Sequence, residues 1–233
     1  MWDEARLAPG HSRHHEAQAQ PRKSGLDSIA VIARQNRGEE IHSWEGADQY
    51  WYRVISGAAK FYIVLPGGRR QILDLLLPND LFGCLQPPGH HCALEAAVND
   101  TVVACYPRKS AEVLAESDPE TCRQVQKMVL DTIARSQELI LILGRTTARE
   151  KVGAFLLRMA ERTSMRPGDR LLLLTSRYDI ADYLALSVET VSRSLTDLQR
   201  RNFIALAGPR RVSIVNRLGL AEQDHAGNPV KAG

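Results

Sequence analysis

Two short helical patterns joined by a tight turn lie between residues 175 and 203. The apolar positions on one face are Ile180, Ala181 and Leu184 in the first pattern and Val191, Leu195 and Leu198 in the second. Ser176 can cap the first helix, with Asp179 completing a capping box, and Ser187 can cap the second. The spacing and the caps together predict a helix-turn-helix.

The face of the second helix opposite its apolar positions carries side chains suited to reading DNA. They are Val188, Glu189, Ser192, Arg193 and Thr196. Arg193 can form two hydrogen bonds with guanine O6 and N7, Glu189 can accept one from cytosine N4, and Val188 can contact a thymine methyl group. The alternative is an ordinary solvated helix face on which Glu189 and Arg193 form an i, i+4 ion pair.

Short runs rich in Val, Ile, Tyr and Leu replace the helical pattern between about residues 26 and 108. The predicted strands are residues 51–57, 58–65, 69–77, 94–98 and 101–106, with turns at 56–57, 66–68 and 78–80. Several short strands at this spacing predict a β-sandwich or a closed barrel.

A long helical pattern without Gly or Pro follows, from the capping and proline signals at residues 117–120 as far as Leu143. Its seam, with alternating spacings of four and three, consists of Val129, Ile133, Ser136, Ile140 and Leu143. A narrow seam of this kind needs a partner, and a second copy of the chain would supply one. The alternative is a core helix packed on its own barrel, and Leu139, Leu141 and Ile142 widen the apolar face enough for both contacts.

The rest of the C-terminal pattern completes a winged helix. A second amphipathic helix at residues 147–162 and a short strand at 171–174 precede the helix-turn-helix. Residues 203–215 then predict a hairpin, which is the wing. Arg210 and Arg211 stand beside its turn, where they are placed for contacts with phosphates.

The composition gives the distribution of charge along the chain and indicates the cellular compartment of the protein. The chain of 233 residues carries a net charge of +3, but residues 145–217 hold 14 Lys/Arg against 7 Asp/Glu, a local charge of +7. A phosphate-binding module needs such a concentration of basic residues, although a solvated basic surface has the same composition. The sequence has no apolar run of about 18 residues and no apolar leader segment, so we expect a cytoplasmic protein without a membrane span.

The run DIADYLALSVETVSRSLTDL at residues 179–198 resembles the helix-turn-helix of the Crp/Fnr family of bacterial transcription regulators. Its ETVSR segment is similar to the Fnr and FixK branch, in which the glutamate, serine and arginine read a TTGA-type half-site. The resemblance implies these roles for Glu189, Ser192 and Arg193. Many relatives have glycine where this chain has Ala185, and we expect the alanine to be accommodated with a negative φ.

Parts of the N-terminal half resemble the sensor barrel of the same family, a jelly roll related to cyclic-nucleotide-binding domains. The segments concerned are residues 51–57, 69–70 and 78–83. Cyclic-nucleotide binding needs a carboxylate for the ribose and an arginine for the phosphate. Cys84 stands where the family places the glutamate, and residues 86–92 contain no arginine. We therefore do not expect cAMP or cGMP binding.

Cysteine and histidine residues bear on other cofactors. Fnr holds an iron–sulfur cluster through cysteines near its N-terminus, whereas no cysteine precedes Cys84 here, so the resemblance is to the FixK-like, cluster-free side of the branch. His90, His91 and Cys92 could ligate haem or a metal, but an ordinary loop fits their Pro-Pro-Gly flank better. Cys84 could be an oxidant target, but a packed thiol is the better interpretation because the sequence shows no nearby cation to stabilise a thiolate.

Together these features predict an α+β chain with a jelly-roll β-barrel, a long dimerisation helix and a C-terminal winged helix-turn-helix. The predicted boundaries are 1–25 for a mobile arm, 26–116 for the barrel, 117–144 for the dimerisation helix, 145–217 for the DNA-binding domain and 218–233 for a tail. The residues expected to contact the DNA backbone are Ser176, Arg177, Ser187, Thr190, Thr196, Arg210 and Arg211.

The function that follows is a homodimeric regulator that binds double-stranded DNA at a TTGA–N6–TCAA-like palindrome. We expect it to work with RNA polymerase and to activate transcription without a cofactor or a metal. The alternative is a regulator of the same fold gated by an effector, sensing haem or a gas, redox state or a small metabolite through the barrel. A barrel enzyme of the cupin type is disfavoured, because the sequence has no His-x-His pair and no nucleophile–base constellation.

Overall fold

The N-terminal half of the chain folds as a sandwich of two antiparallel sheets with four strands each. A computed structural model describes residues 25–42, 49–83, 92–163, 170–208 and 210–222, so the predicted arm at 1–25 lies outside the described residues except for Gly25. The strands are β1 Val31–Gln35, β2 Glu40–His42, β3 Tyr50–Ser56, β4 Ala59–Val64, β5 Arg70–Leu76, β6 Leu81–Phe82, β7 Cys92–Ala96 and β8 Thr101–Pro107. One sheet has the order β1-β8-β3-β6 and the other β2-β7-β4-β5. This arrangement confirms the predicted jelly roll.

Alternating side chains from the two sheets fill the barrel interior. The buried residues of this core are Tyr52, Val54, Ala59, Phe61, Ile63, Leu76, Phe82, Cys92, Leu94 and Val103. The ring centroids of Phe61 and Phe82 lie 4.4 Å apart, which ties β4 of one sheet to β6 of the other. The inward positions follow the period of two expected for half-buried strands.

The structure contains elements that hydrophobic periodicity did not reveal. The predicted strands correspond to β3, β4, β5, β7 and β8, whereas β1, β2 and β6 were not predicted. β1 is an edge strand whose Val31 and Ile32 are exposed, so it lacks an alternating pattern. β2 and β6 have three and two residues, too few for any period to show. A helix, α1 (Arg108–Ser117), follows the barrel.

The long helix α2 spans Pro119–Leu143, close to its predicted limits. Asp118 caps it by accepting hydrogen bonds from the backbone N–H groups of Glu120 and Thr121, and Gly144 ends it. Its 25 residues give a rod of about 37 Å. None of the helices in the described ranges is long and apolar enough to cross a membrane.

α2 has apolar side chains both for packing on its own protomer and for contact with a second copy of the chain, the two contacts predicted for it. Leu139 and Ile142 are buried against the chain's own core. Ile133, Ile140 and Leu141 are instead exposed, with Ile140 66% exposed and Leu141 70% exposed. α2 therefore packs on its own protomer along one face and leaves a second apolar face uncovered.

The C-terminal half consists of helices around a small sheet. Its elements are α3 Ala148–Arg162, β9 Arg170–Leu172, α4 Arg177–Leu184, α5 Val188–Arg200, β10 Ile204–Leu206, β11 Arg211–Ile214 and α6 Arg217–Ala221. The three strands pair in the order β10-β11-β9. The predicted inward stripe of α3, Val152, Phe155, Leu156 and Met159, is buried. α6 occupies the start of the segment predicted as a tail, and its Leu220 joins this core.

Buried charges connect the barrel to the helix-turn-helix. The Lys60 ammonium on β4 lies 2.8 Å from Asp179 Oδ1 on α4 and 2.9 Å from Glu95 Oε1 on β7. The side chains of Lys60 and Asp179 are only 7% and 5% exposed. Beside them, the Gln71 side-chain amide donates to the backbone oxygen of Asp182 at 2.7 Å. We call Lys60, Glu95 and Asp179 the charged junction.

A second set of ion pairs joins the barrel to α2 and α3. Arg135 Nε on α2 lies 2.8 Å from Asp74 Oδ2, and its Nη1 lies 3.2 Å from Asp80 Oδ1. Arg162 on α3 pairs with the other oxygen of Asp80 and donates to Leu75 O at 2.7 Å. One barrel carboxylate therefore holds both the long helix α2 and the first helix of the C-terminal half.

Candidate nucleic-acid interface

The two helices of the predicted helix-turn-helix begin at the predicted caps. Ser176 Oγ accepts from the Asp179 backbone N–H at 3.1 Å, and Asp179 Oδ2 accepts from the Ser176 backbone N–H at 2.8 Å, which is a complete capping box. Ser187 Oγ accepts from the Thr190 backbone N–H at 3.1 Å. These caps fix where α4 and α5 start, and so fix which residues form the first turn of α5.

The predicted inward residues hold α5 against the rest of the domain. Ile180 and Leu184 of α4 and Val191, Leu195 and Leu198 of α5 are almost completely buried in one cluster. Burial of this kind stabilises the fold by about 1.5–3 kcal/mol for each side chain of this size. The opposite face of α5 is therefore the one that is turned outward.

The turn between α4 and α5 corrects one expectation. Ala185 is the C-cap of α4 with φ 53° and ψ 44°, a left-handed conformation, rather than the negative φ expected. The tight reversal requires this geometry, since the Ala185 N–H still bonds to Ala181 O while the Leu186 N–H reaches the same oxygen at 3.0 Å. An alanine in this region carries a strain of about 1–2 kcal/mol that glycine avoids.

The outward face of α5 carries the five side chains predicted to face DNA. Glu189, Arg193 and Thr196 are exposed, and Val188 and Ser192 are half-buried. Among the described residues no ion pair within 4 Å joins Glu189 to Arg193, although the charge of Arg193 acts on Glu189. Its own backbone N–H, the Ser187 hydroxyl and the charge of Arg193 hold the pKa of Glu189 below its usual value. Glu189 is therefore a carboxylate acceptor at neutral pH.

Two contacts that orient α5 were missed by sequence reasoning. Arg149 Nη1 of α3 lies 3.1 Å from Asp197 Oδ2 of α5, and Arg201 Nε lies 3.0 Å from the same oxygen. Hydrogen bonding from Arg149 is the main cause that lowers the pKa of Asp197. Arg177 Nη1 of α4 donates to Ser192 Oγ at 3.2 Å. No local sequence pattern signals contacts between helices so far apart in the chain.

The wing forms as predicted, with β10 paired to β11. The Ala207 N–H bonds to Arg211 O at 2.9 Å, and the Leu173 N–H bonds to Arg210 O at 2.7 Å, so the backbone at the wing's tip is tied to both neighbouring strands. Arg211 is exposed and Arg210 half-exposed. The wing therefore carries two arginines on a hairpin that backbone hydrogen bonds hold in place. It belongs to the segment of residues 145–217, whose local charge is +7.

Of the residues considered for redox or ligand chemistry, only Cys92 is among those described; Cys84, His90 and His91 lie outside them. The Cys92 side chain is buried in the barrel core, and burial raises the pKa of its thiol. A raised pKa lowers the thiolate fraction and hence the reactivity. Within the described ranges, no cluster of three His, Cys, Asp or Glu side chains is arranged to hold a metal ion.

The fold and this interface together define a DNA-binding transcription regulator. The sequence matches the Crp-like helix-turn-helix domain over residues 150–223. It is 33% identical over 207 residues to the nitrogen fixation regulation protein FixK of Rhizobium meliloti, which covers 85% of this chain and 93% of the relative. It is 34% identical over 206 residues to the transcriptional activator protein FnrL of Cereibacter sphaeroides, covering 85% of this chain and 82% of that protein.

The structural comparison agrees. The structure of FixK2 from Bradyrhizobium japonicum has a TM-score of 0.75 and 36% identity to this chain, covering 86% of it and 100% of FixK2. The chain belongs to the Crp/Fnr family of transcription regulators, on its FixK-like side. These relatives are regulators and not enzymes, which confirms the choice of a regulator over a cupin-type enzyme.

Proposed function

We propose that the protein binds DNA as a homodimer at a TTGA–N6–TCAA-like palindrome and activates transcription together with RNA polymerase in the cytoplasm. The observation that carries this proposal is the outward face of α5, where Glu189, Ser192 and Arg193 stand on a helix whose start is fixed by Ser187. Helices of this kind present their N-terminal residues to base edges in the major groove.

Each outward side chain has a base partner in this proposal. Arg193 forms two hydrogen bonds with guanine O6 and N7, and Glu189 accepts from cytosine N4. Val188 contacts a thymine methyl group, and Ser192 bonds to a base edge. Contacts to the sugar–phosphate backbone come from Ser176, Ser187, Thr190, Thr196, Arg210 and Arg211.

The uncovered face of α2 supports the homodimer. The proposed seam is Val129, Ile133, Ser136, Ile140 and Leu143, and two of its apolar members, Ile133 and Ile140, are exposed in the single chain. Exposed apolar residues repeating at heptad spacing are typical of a helix that pairs with a copy of itself. A dimer would place two α5 helices one DNA turn apart, about 34 Å.

A second candidate is an effector-gated regulator of the same fold. A cavity of about 590 Å³ lies between the barrel and α2, lined mainly by apolar side chains such as Phe61, Leu76 and Phe82, with Asp74 and Thr132 among the polar ones. Its size and lining are those of a small-molecule site. The same wall includes Ile133 and Ile140, so an occupant would also touch the proposed dimer seam.

The experiment that tests the main proposal is a fluorescence-anisotropy titration of the purified protein, without additives and at fixed salt. The probes are a duplex carrying TTGA–N6–TCAA and one with both guanine pairs swapped. We expect tight binding to the first, roughly 10³-fold over the second. Equal binding to both duplexes contradicts the proposed site, whereas discrimination that appears only after a cell-extract metabolite or haem is added favours the effector-gated candidate.

A further inference from the structure

The side chains of Arg177 and Ser192 meet across the angle between the two helices of the helix-turn-helix. Arg177 is the first residue of α4, and Ser192 lies in the second turn of α5. The distance from Arg177 Nη1 to Ser192 Oγ is 3.2 Å, and the contact is partly shielded from solvent. An outward residue of α5 is therefore held by a residue of the other helix.

The direction of this hydrogen bond is fixed by chemistry. A guanidinium group has only donors, so Arg177 must donate and the Ser192 hydroxyl oxygen must accept. The single proton of the Ser192 hydroxyl is then left for another acceptor. No residue in the described part of the chain receives it.

The usual acceptor for such a proton is the carbonyl four residues earlier in the helix. Thr132, Ser136 and Thr196 all donate in this way, at 2.9, 3.1 and 3.0 Å. Ser192 does not bond to its corresponding carbonyl, and its hydroxyl is turned toward Arg177 instead. Arg177 thus holds Ser192 away from the arrangement that Thr132, Ser136 and Thr196 adopt.

The Arg177 guanidinium is also partly withdrawn from the surface. Its Nε is buried and has no partner among the described residues. A side chain that served only to reach a phosphate would be expected to extend into solvent, as the exposed Arg211 does. The position of Arg177 therefore indicates a role inside the helix-turn-helix.

We propose that Arg177 is a positioning residue that fixes the Ser192 hydroxyl as a hydrogen-bond donor toward a base acceptor, thymine O4 or purine N7 in the major groove. This inference rests on the proposed DNA-binding function. It extends that function, because the base preference at the pair facing Ser192 would depend on Arg177, a side chain that touches no base. The rival role for Arg177 is a plain phosphate contact.

The test is an anisotropy titration of the full-length protein on the TTGA–N6–TCAA duplex and on a set with one base pair of one half-site changed at a time. The variants are Arg177→Met, Ser192→Ala and the double variant. Arg200→Met is the matched control, because it removes one positive charge from the exposed end of α5, far from Ser192. Each protein is also titrated at several salt concentrations.

We expect Ser192→Ala to lower discrimination at one base pair by about 2- to 10-fold per half-site, the effect of one hydrogen bond. Arg177→Met should lower discrimination at the same pair, and the double variant should lose no more than either single one. Discrimination at the guanine read by Arg193 should remain. Arg200→Met should leave the ratios of affinity between the duplexes unchanged.

Three results overturn the inference. If Arg177→Met weakens binding evenly on all duplexes and reduces the salt slope, Arg177 is a phosphate contact. If Ser192→Ala leaves every ratio intact, Ser192 donates to no base, and this holds even should Arg177→Met fail to fold. If the wild-type protein shows no preference at any pair, the proposed function falls together with the inference.

Discussion

Lys60 of the barrel and Asp179 of the helix-turn-helix, 119 residues apart in the chain, form a buried ion pair of 2.8 Å. Asp179 is also the capping-box residue that starts α4. The position of the DNA-reading helices relative to the barrel therefore depends on a lysine that sequence patterns gave no reason to single out. Predictions about this pair concern both stability and DNA binding.

Replacing Lys60→Met should lower the free energy of unfolding by about 3 kcal/mol, because the Asp179 carboxylate would stay buried without its cation. Urea unfolding followed by circular dichroism measures the change. Arg123→Met is the control, since it breaks an exposed pair with Glu120 and should cost less than about 1 kcal/mol. Equal losses of unfolding free energy in the two variants would show that the charged junction stabilises the fold no more than an exposed ion pair does.

Acid should weaken the charged junction through Asp179. Burial alone would raise the pKa of Asp179, but hydrogen bonds from Lys60 and Ser176 hold it below its ordinary value of 3.8. Such a carboxylate stabilises the fold above its unfolded pKa, and the stabilisation is lost as the pH falls through the folded value. The difference in unfolding free energy between wild type and Asp179→Asn should be constant above about pH 5 and shrink below about pH 4. A difference that persists undiminished at about pH 3 refutes this assignment.

Arg193→Ala should cost about 1–3 kcal/mol of binding free energy per half-site and relax the preference at the guanine. Arg211→Ala is its counterpart on the wing. If Arg211 makes the proposed phosphate contact, the change should weaken binding to every sequence similarly and reduce the salt slope by about 1 per half-site. Anisotropy titrations on matched duplexes at several salt concentrations separate the two effects. A loss of affinity that is equal on all duplexes would contradict the base contact of Arg193. A shift in site preference in Arg211→Ala would contradict the phosphate contact of Arg211.

Ile140→Glu should break the proposed homodimer. In the single chain Ile140 is exposed on α2, and a glutamate there would meet its own copy across the proposed seam. We expect the dimer dissociation constant to rise roughly 100-fold or more. Val113→Glu introduces the same charge at an exposed apolar position on α1 and should leave the dimer intact. Sedimentation velocity distinguishes the states, and a dimeric Ile140→Glu protein would place the interface elsewhere.

Ala185→Gly should stabilise the protein by about 1 kcal/mol, since glycine adopts the left-handed conformation without the steric strain of a Cβ. The measurement is again urea unfolding. Asn202→Gly offers a comparison at another positive φ, 59°, where asparagine already tolerates the conformation and the gain should be smaller. A loss of stability in Ala185→Gly would mean that flexibility of the unfolded chain outweighs the strain.

Sequence reasoning succeeded where the physical cause is local. Caps at Ser176, Asp118 and Ser187 act over three residues, and helical periodicity gave the buried faces of α3, α4 and α5. Strands β3, β4, β5, β7 and β8 were found for the same reason. The conformation of Ala185 was predicted wrongly because alanine by itself prefers a negative φ, and the packing of α4 against α5 overrides that preference.

Contacts between distant parts of the chain could not be predicted. The pair Lys60–Asp179 and the bond Arg177–Ser192 depend on how elements are placed after folding, and neither lysine nor arginine shows in isolation which carboxylate or hydroxyl it will meet. The exposed β1 lacked the alternation that marks a half-buried strand. The outward residues of α5 were found by elimination, as what remains once its buried stripe is known.

The charged junction also limits how freely this protein can be taken apart or recombined. A fragment beginning near residue 145 would keep the capping box of α4 but lose the lysine that neutralises its buried carboxylate. A chimaera that joins this helix-turn-helix to the barrel of another protein would need a cation at the position of Lys60. The barrel and the helix-turn-helix must therefore be engineered as one unit rather than as interchangeable parts.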